Sequence, residues 1–441
     1  MSRPGKLLRE PERVRIDALT HDGRGVAHVD GKAVFVPGAL AGEEVRVQRV
    51  RRHRGHDEAR LLEILTASPA RVAPRCEYFG VCGGCALQHL DHSAQLAAKQ
   101  DVLLESLKRI GGVAPETVLA PLAGPAWRYR RRARLSVRRV AAKDRVLVGF
   151  RERASAFVTD MRHCEVLVEP VGSLVGALAD LIAELRICAR APQIEVTVTE
   201  EDAVLVLRVL DPPDADDRAR LAAFAERHGV TFYLQPGGAE TARPLAGEAA
   251  LPHYRLEEFD VDIAFAPTDF VQVNGELNAR LVSHAIAQLA PAPTDEVLDL
   301  YCGVGNFTLP LARRAARVTG VEGDAGLVQR ARDNVRRNAL DNVDMRVADL
   351  ADGIELFPWA RRRYDLVLLD PPRVGASGVL AQFAVWKPRR VVYVSCDPAT
   401  LARDAGVLVR EHGLRMRAAG ILDMFPHTAH VESLAVFEPG A

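Results

Sequence analysis

The sequence carries no excess of either charge: 58 lysines and arginines balance 58 aspartates and glutamates, a net charge of +0. Attraction to nucleic acid must therefore come from local basic patches and not from an overall field. Long apolar runs are missing too. The most apolar stretch, residues 166–185, is interrupted by Glu169, Pro170, Asp180 and Glu184, so no segment reads as a membrane span and no membrane partner is expected. The opening MSRPGKLLREPERVRID has no apolar core of a secretory leader. There is no internal repeat and no low-complexity tract. These absences lead us to expect a cytoplasmic protein. The seven cysteines are then candidates for metal ligands, nucleophiles or core packing before disulfides.

The chain that remains is an ordinary globular one. Its 441 residues are 48% hydrophobic and 26% charged, enough for two or three domains with substantial cores. Over residues 14–66 short alternating runs are punctuated by glycines. HVDGKAVFV places Asp30-Gly31 between two strands as a hairpin signal. EEVRVQRV sets Val45 and Val47 on one face against Arg46 and Gln48 on the other. A small β-barrel fits, here assigned to residues 1–68. It ends in a basic run, Arg49, Arg51, Arg52 and Arg54, which reads either as a solvated edge or as an RNA-binding rim.

Residues 69–262 form an expected α+β central domain. Its strands are read at VLVGFRE, IEVTVTE, AVLVLRVL and TFYLQ, and its helices at LADLIAELRI and DRARLAAFAERHG. Near its start Cys76, Cys82 and Cys85 are spaced C-x5-C-x2-C. Cys164 or Cys188 could supply a fourth thiolate, and four thiolates suit an iron–sulfur cluster or a structural zinc equally. Trp127 to Arg134 interleaves five arginines with two aromatics, a pattern suited to phosphate pairing and base stacking, or to an exposed amphipathic strand.

Residues 263–441 alternate strand and helix, which implies a doubly wound, mostly parallel, Rossmann-like sheet with its ligand at the carboxyl ends of the strands. EVLDLYCGVGNFTLPLA is strand, glycine turn and helix. Gly303 and Gly305 let backbone amides approach a ligand, but Thr308 stands where a dinucleotide fingerprint wants a third glycine. Asp299 suits a ligand bearing an ammonium group. Glu322 ends the next strand where a ribose diol is held, and Asp349 ends the third, in reach of an adenine amino group. Acidic residues at three successive strand ends with a GxG turn point to S-adenosylmethionine. Cys302, inside the turn, reads as a small packed residue.

Two further strands end in chemistry. YDLVLLDPPR stops at Asp370, and RRVVYVS stops at Ser395-Cys396, followed by Asp397 as helix cap and Pro398 as first helical residue. A helix N-terminus lowers a thiol's pKa while a neighbouring carboxylate raises it, so Cys396 faces opposed effects. Beside a methyl donor, a thiolate that adds to C6 of a pyrimidine makes C5 able to accept a methyl group, and a base must then remove the C5 proton. Glu432, opening the last strand, is the candidate base, with His427 and His430 as rivals.

The stretches FAPTDFVQVN, VLDLYCGVGNFTLPLA, DPPR, SCDPATLARD and DMFPHTAHVESL together resemble the RNA uridine-5-methyltransferase family. The resemblance implies a class I methyltransferase domain with cofactor contacts from Gln272, Tyr301, Asn306, Glu322, Asp349 and Asp370, Cys396 as nucleophile and Glu432 as base. It implies a [4Fe-4S] cluster on Cys76, Cys82, Cys85 and, in its H-C-x-V setting, Cys164, leaving Cys188 as a buried apolar residue. The N-terminal stretch resembles the TRAM domain, an RNA-binding module. A barrel together with four cysteines is similar to the branch acting on 23S ribosomal RNA more than to the tRNA branch. The expected substrate is then a uridine flipped out of its stack, and the expected state a monomer. The DPP loop lacks the cysteine of cytosine-C5 enzymes, and the joint presence of Asp370, Cys396 and Glu432 argues against a non-catalytic RNA-binding protein.

Overall fold

The computed structural model describes residues 10–20, 22–351 and 353–440; the first nine residues of the opening segment read above lie outside it. Two compact units emerge. The first comprises residues up to Asp101 with Phe150–Thr159 and Phe425–His430, and the second holds the rest.

In the first unit six strands form one sheet: β1 (Glu12–Arg15), β2 (Ala18–Leu19), β3 (Gly25–Val29), β4 (Lys32–Val36), β5 (Glu44–Arg52) and β6 (His56–Thr66), in the order β1-β5-β6-β4-β3-β2. The β3–β4 hairpin turns at Asp30 and Gly31, with φ of 53° and 75°, the two left-handed positions that a tight primed turn demands. Val45 and Val47 point inward as the alternation required, joining Val14, Ile16, Val34 and Val36 in an apolar core.

The basic run at the end of β5 does not stay on the surface. Arg49 is buried, held by Glu12 at 2.5 Å and by Asp57 at 2.9 Å, while Arg51 and Arg52 are exposed. Arg49 continues the inward parity of Val45 and Val47, so it is a structural cation and not part of an RNA rim.

Helix α1 (His92–Ser106) runs from the first unit into the second. The central sheet follows β7 (Thr117–Val118) and contains β8 (Arg132–Val140), β9 (Arg145–Gly149), β10 (Gln193–Val198), β11 (Ala203–Arg208), β12 (Thr231–Gln235) and β13 (Arg243–Pro244). Its order is β13-β12-β11-β10-β8-β9. Helices α2 (Val171–Glu184) and α3 (Ala215–His228) lie where their apolar periodicity predicts them. The arginine-rich stretch is largely spoken for. Arg132 and Arg134 both face Glu195, and Arg131 is buried.

A two-stranded pair, β14 (His253–Leu256) and β15 (Val261–Ala264), and helix α4 (Gly275–Leu289) precede the last sheet. That sheet is built from β16 (Glu296–Leu300), α5 (Thr308–Ala312), β17 (Arg317–Glu322), α6 (Ala325–Arg337), β18 (Val343–Val347), β19 (Leu366–Leu369), α7 (Phe383–Trp386), β20 (Arg390–Ser395), α8 (Pro398–His412), β21 (Leu414–Leu422) and β22 (Glu432–Pro439). The order is β18-β17-β16-β19-β20-β22-β21-β7. Pairs from β18 to β20 are parallel, and β22 is antiparallel to both β20 and β21. The central strands β16, β19 and β20 read as near-continuous apolar runs because both faces are covered. Helix α5 is shorter than the pattern FTLPLARRA suggested: its end tightens into three-residue bonds, Arg313 N–H to Pro310 O and Arg314 N–H to Leu311 O. Among the described residues no helix is long and apolar enough to cross a membrane.

Candidate active site

The parallel strands deliver their carboxyl ends to one edge of the sheet. At the first of them the turn after β16 is forced by Tyr301, Gly303 and Gly305, with φ of 62°, 55° and 100°. A left-handed tyrosine costs about 1–3 kcal/mol and persists only where its surroundings over-determine it. Below the turn Asp299 is fully buried, and one of its carboxylate oxygens accepts from Thr308 Oγ1 at 2.5 Å. Burial pushes its carboxyl up to about 7, with the charge of Glu322 acting in the same direction. Cys302 packs against Val328, Ala331 and Met345, and its thiol is raised well above the ordinary range, first by burial; it is a core residue as its setting suggested.

Glu322 is fixed at both oxygens: Gly303 N–H donates to one at 3.2 Å and Asp324 N–H to the other at 3.0 Å. The glycine turn and the carboxylate at the end of β17 thus form one rigid unit. Asp349 is held by the N–H of Ala351 at 2.9 Å. Asn306 exchanges amide hydrogen bonds with Asn278 at 2.9 and 3.0 Å and accepts from Tyr254 Oη at 2.9 Å. Beneath Gln272, whose carbonyl accepts from Arg131 Nε at 3.0 Å, the guanidinium of Arg131 stacks 4.7 Å over the Tyr254 ring. The sequence reading missed Arg131, Tyr254 and Asn278. A signal for Arg131 was there: Arg131, Ala133, Leu135 and Val137 share one parity, and that is the buried face of the strand.

Asp370 follows β19, and its carboxyl is held well above the carboxylate range by burial, then by the charges of Glu432 and Asp299. Cys396 follows β20. Strand β22 pairs with β20 through Ser395–Ser433. One further step of that register brings Cys396 opposite Glu432, which is itself buried. Burial, Glu432 and Asp370 push the Cys396 thiol up to about 11, against the opposing pull of Arg373 and of a backbone hydrogen bond. Asp397 caps α8 by accepting from the N–H groups of Ala399 and Thr400 at 2.9 and 3.1 Å, so the helix terminus has spent its donors on its own cap. The resting thiol is protonated.

The rival bases belong to the first unit. His427 is buried in the first unit, its Nδ1 3.2 Å from Gln95 Nε2, and His430 packs edge-on against Phe425.

The first unit also holds the loop of Cys76, Cys82 and Cys85, with Cys82 and Cys85 buried and Cys76 half-buried. The loop is braced by Gly83 N–H to Arg151 O and by Arg153 to Cys85 O. Cys82 Sγ accepts from Gly84 N–H at 3.4 Å, the arrangement that suits a thiolate ligand. In the second unit Cys164 is half-buried, its N–H bonded to Gly172 O. Cys188 is buried with Arg139 at 3.8 Å from its sulfur.

Comparison with known proteins agrees with this geometry. Residues 253–438 match the model of the tRNA (uracil-5-)-methyltransferase family, and residues 12–70 match the TRAM domain of tRNA (uracil(54)-C(5))-methyltransferase. The chain is 51% identical over 436 residues to the 23S rRNA (uracil(1939)-C(5))-methyltransferase RlmD of Stenotrophomonas maltophilia, covering 98% of each. It is 50% identical over 433 residues to the protein of that name from Xanthomonas campestris, again covering 98% of each. Among solved structures it is similar to Pyrococcus abyssi tRNA (uracil-54, C5)-methyltransferase in complex with S-adenosyl-L-homocysteine. That likeness has 26% identity and a TM-score of 0.75, and covers 97% of this chain and 100% of that one. With half its residues shared along nearly the full length of such relatives, the chain belongs to the 23S rRNA (uracil-C5)-methyltransferase family of RNA uridine-5-methyltransferases.

Proposed function

We propose that this protein transfers a methyl group from S-adenosylmethionine to C5 of a uridine in 23S ribosomal RNA, through a covalent bond between Cys396 and C6. The observation that carries the reading is the convergence of Cys396, Glu432 and Asp370, strong enough for the two carboxyl groups to perturb the thiol. Gln272, Tyr301, Asn306, Glu322, Asp349 and Asp370 hold the methyl donor. The donor supplies an electrophilic methyl group on a sulfonium, whose positive charge suits an edge lined by Asp299, Glu322 and Asp370.

The chain's own residues do the rest. The Cys396 thiol loses its proton to solvent, and its sulfur bonds to C6 while the C5–C6 π electrons shift toward C5 and O4. C5 then takes the methyl group as the methyl–sulfonium bond breaks, its electron pair remaining on the departing thioether. Glu432 removes the C5 proton, the electron pair re-forms the C5–C6 double bond, and the sulfur leaves as thiolate. The raised thiol pKa fits this order, since the nucleophile stays protonated until a cationic donor offsets the carboxylates. A base inside a stack cannot reach the sulfur, so the uridine is flipped out at a cost of about a few kcal/mol.

The division of labour follows the three regions 1–68, 69–262 and 263–441, for RNA holding, cluster and chemistry. Cys76, Cys82, Cys85 and Cys164 hold a [4Fe-4S] cluster with a structural or RNA-positioning role. Three cysteines on one braced loop and an N–H donor to Cys82 Sγ support this. The enzyme works in the cytoplasm as a monomer.

Ribosomal RNA containing 5-fluorouridine tests the chemistry, because fluorine cannot leave as a proton does. The wild type should form a denaturation-resistant adduct in the presence of S-adenosylmethionine. Equal trapping by Cys396→Ala would refute the nucleophile. A brown anaerobic preparation with iron and visible absorption is expected; a colourless one containing zinc defeats the cluster.

A further inference from the structure

Asp404 lies on α8, two turns beyond Cys396, and its side chain is fully buried. No step of the reaction uses it. Its carboxylate is nonetheless crowded with donors. Oδ2 accepts from the N–H of Ala376 at 2.7 Å and from Tyr393 Oη at 2.7 Å, and Oδ1 accepts from Arg403 Nε at 2.8 Å. Arg403 in turn donates to the carbonyl of Val374 at 2.8 Å. One acidic side chain and its neighbour therefore grip two residues, Val374 and Ala376, of the loop that begins at Asp370. Between the two gripped carbonyl and amide groups sits Gly375, at φ 83°, where a Cβ would run into both Asp404 and Arg403. At the far end of the loop a Cβ on Gly378 would strike the carbonyls of Leu350 and Ala351, the segment that follows Asp349.

The loop so clamped carries Asp370 and Arg373, whose charges both act on Cys396. Charged groups facing the thiol come from three elements: Asp370 and Arg373 from this loop, and Glu432 from β22, while Asp397 adjoins it on the cap of α8. Only the first two stand on a segment without secondary structure of its own, and a free loop would not hold them in place. Burying a carboxylate to secure a loop is costly unless each oxygen is satisfied, and here both are.

We infer that Asp404 is a positioning residue for methyl transfer: through Ala376 and, by way of Arg403, Val374, it fixes the Asp370–Arg373 segment against Cys396. This rests on Cys396 being the nucleophile. Misplacement of a reacting group by about 1 Å costs on the order of 100-fold in rate, so the effect belongs in kcat and not in binding.

The test uses the full-length enzyme, S-adenosylmethionine and ribosomal RNA, unmodified for turnover and 5-fluorouridine-substituted for adduct formation. Asp404→Asn should lower kcat and the adduct rate by about 100-fold while KM for S-adenosylmethionine and for RNA stay within about threefold. Arg403 is half-exposed and its replacement leaves the core intact. Arg403→Ala should lower kcat by about tenfold, and Arg403→Lys, which still reaches the Val374 carbonyl, should restore most of it. If Asp404→Asn does not fold, the Arg403 pair decides alone. Undiminished adduct formation in both Asp404→Asn and Arg403→Ala, with the wild type trapping normally, removes this inference and leaves the nucleophile in place. A wild type that traps nothing removes the nucleophile first and this inference with it.

Discussion

Ser433 donates its hydroxyl to the carbonyl of Ser395 across 3.2 Å, at the last register pair before Cys396 and Glu432. The residues next in line on the two strands are Cys396 and Glu432, the proposed nucleophile and base. Because the base acts only after methylation, Glu432→Gln should form the methylated adduct on ordinary RNA and fail to release it. Turnover should fall by about 100- to 10,000-fold, with an RNA-linked protein visible on a denaturing gel and one methyl group heavier by mass spectrometry. Rapid turnover by this variant would take the base assignment away from Glu432.

The thiol raised to about 11 makes a pH prediction. Below that value the thiolate fraction rises tenfold per pH unit, so alkylation of Cys396 by iodoacetamide should climb steadily from pH 7 to 10 (each unit about 1.4 kcal/mol), without a plateau near the ordinary thiol range. Glu432→Gln and Asp370→Asn remove negative neighbours and should move the profile to lower pH, whereas Arg373→Ala should move it higher. Peptide mass spectrometry of the 396 site reads this directly. A plateau near pH 8.5 would show that the surrounding carboxylates do not govern the thiol.

Asp299 offers a second titration, with its carboxyl at about 7 against an ordinary value of 3.8. A folded-state pKa raised above the unfolded one gives stability that is present at low pH and is lost as pH rises through about 7. A cationic ligand favours the ionised form, so S-adenosylmethionine should bind more tightly as pH rises through that range and release a proton when it binds below it. Calorimetry in two buffers of different ionisation enthalpy measures that proton. Asp299→Asn should abolish the release and weaken binding while raising the melting temperature at pH 8. Equal proton release by this variant would count against Asp299 as the linked group.

Arg49 separates structure from RNA contact within one basic run. Arg49→Met strips Glu12 of its guanidinium partner and leaves Asp57 with Lys32 alone, and should cost about 3 kcal/mol in urea unfolding, with ordinary m-value behaviour. Arg52→Ala should change stability by less than about 0.5 kcal/mol. A barrel indifferent to Arg49→Met would place that side chain outside the core ion pairs.

Much of the fold was written locally. The alternation of apolar runs announced the sheet from β16 to β22, and Asp397 caps the helix it precedes, as read. The Asp30-Gly31 turn, the glycine turn after β16 and the acidic strand ends were also readable, because each depends on residues a few positions apart.

What the sequence by itself determined is the set of parts: a thiol after one strand, carboxylates after four others, three clustered cysteines and a barrel. What only the tertiary structure decided is the condition of those parts. Arg131 meets Gln272 across 141 residues of chain, and Arg49 meets Glu12 across 37. Whether an arginine is a surface charge or a buried brace depends on such partners. The protonation of Cys396 likewise depends on Asp370 and Glu432, which reach it from neighbouring strands. The physical reason is the same in each case: turns and caps are set by bonds to near neighbours, while burial and the electric field at an atom are set by whatever the folded chain brings beside it.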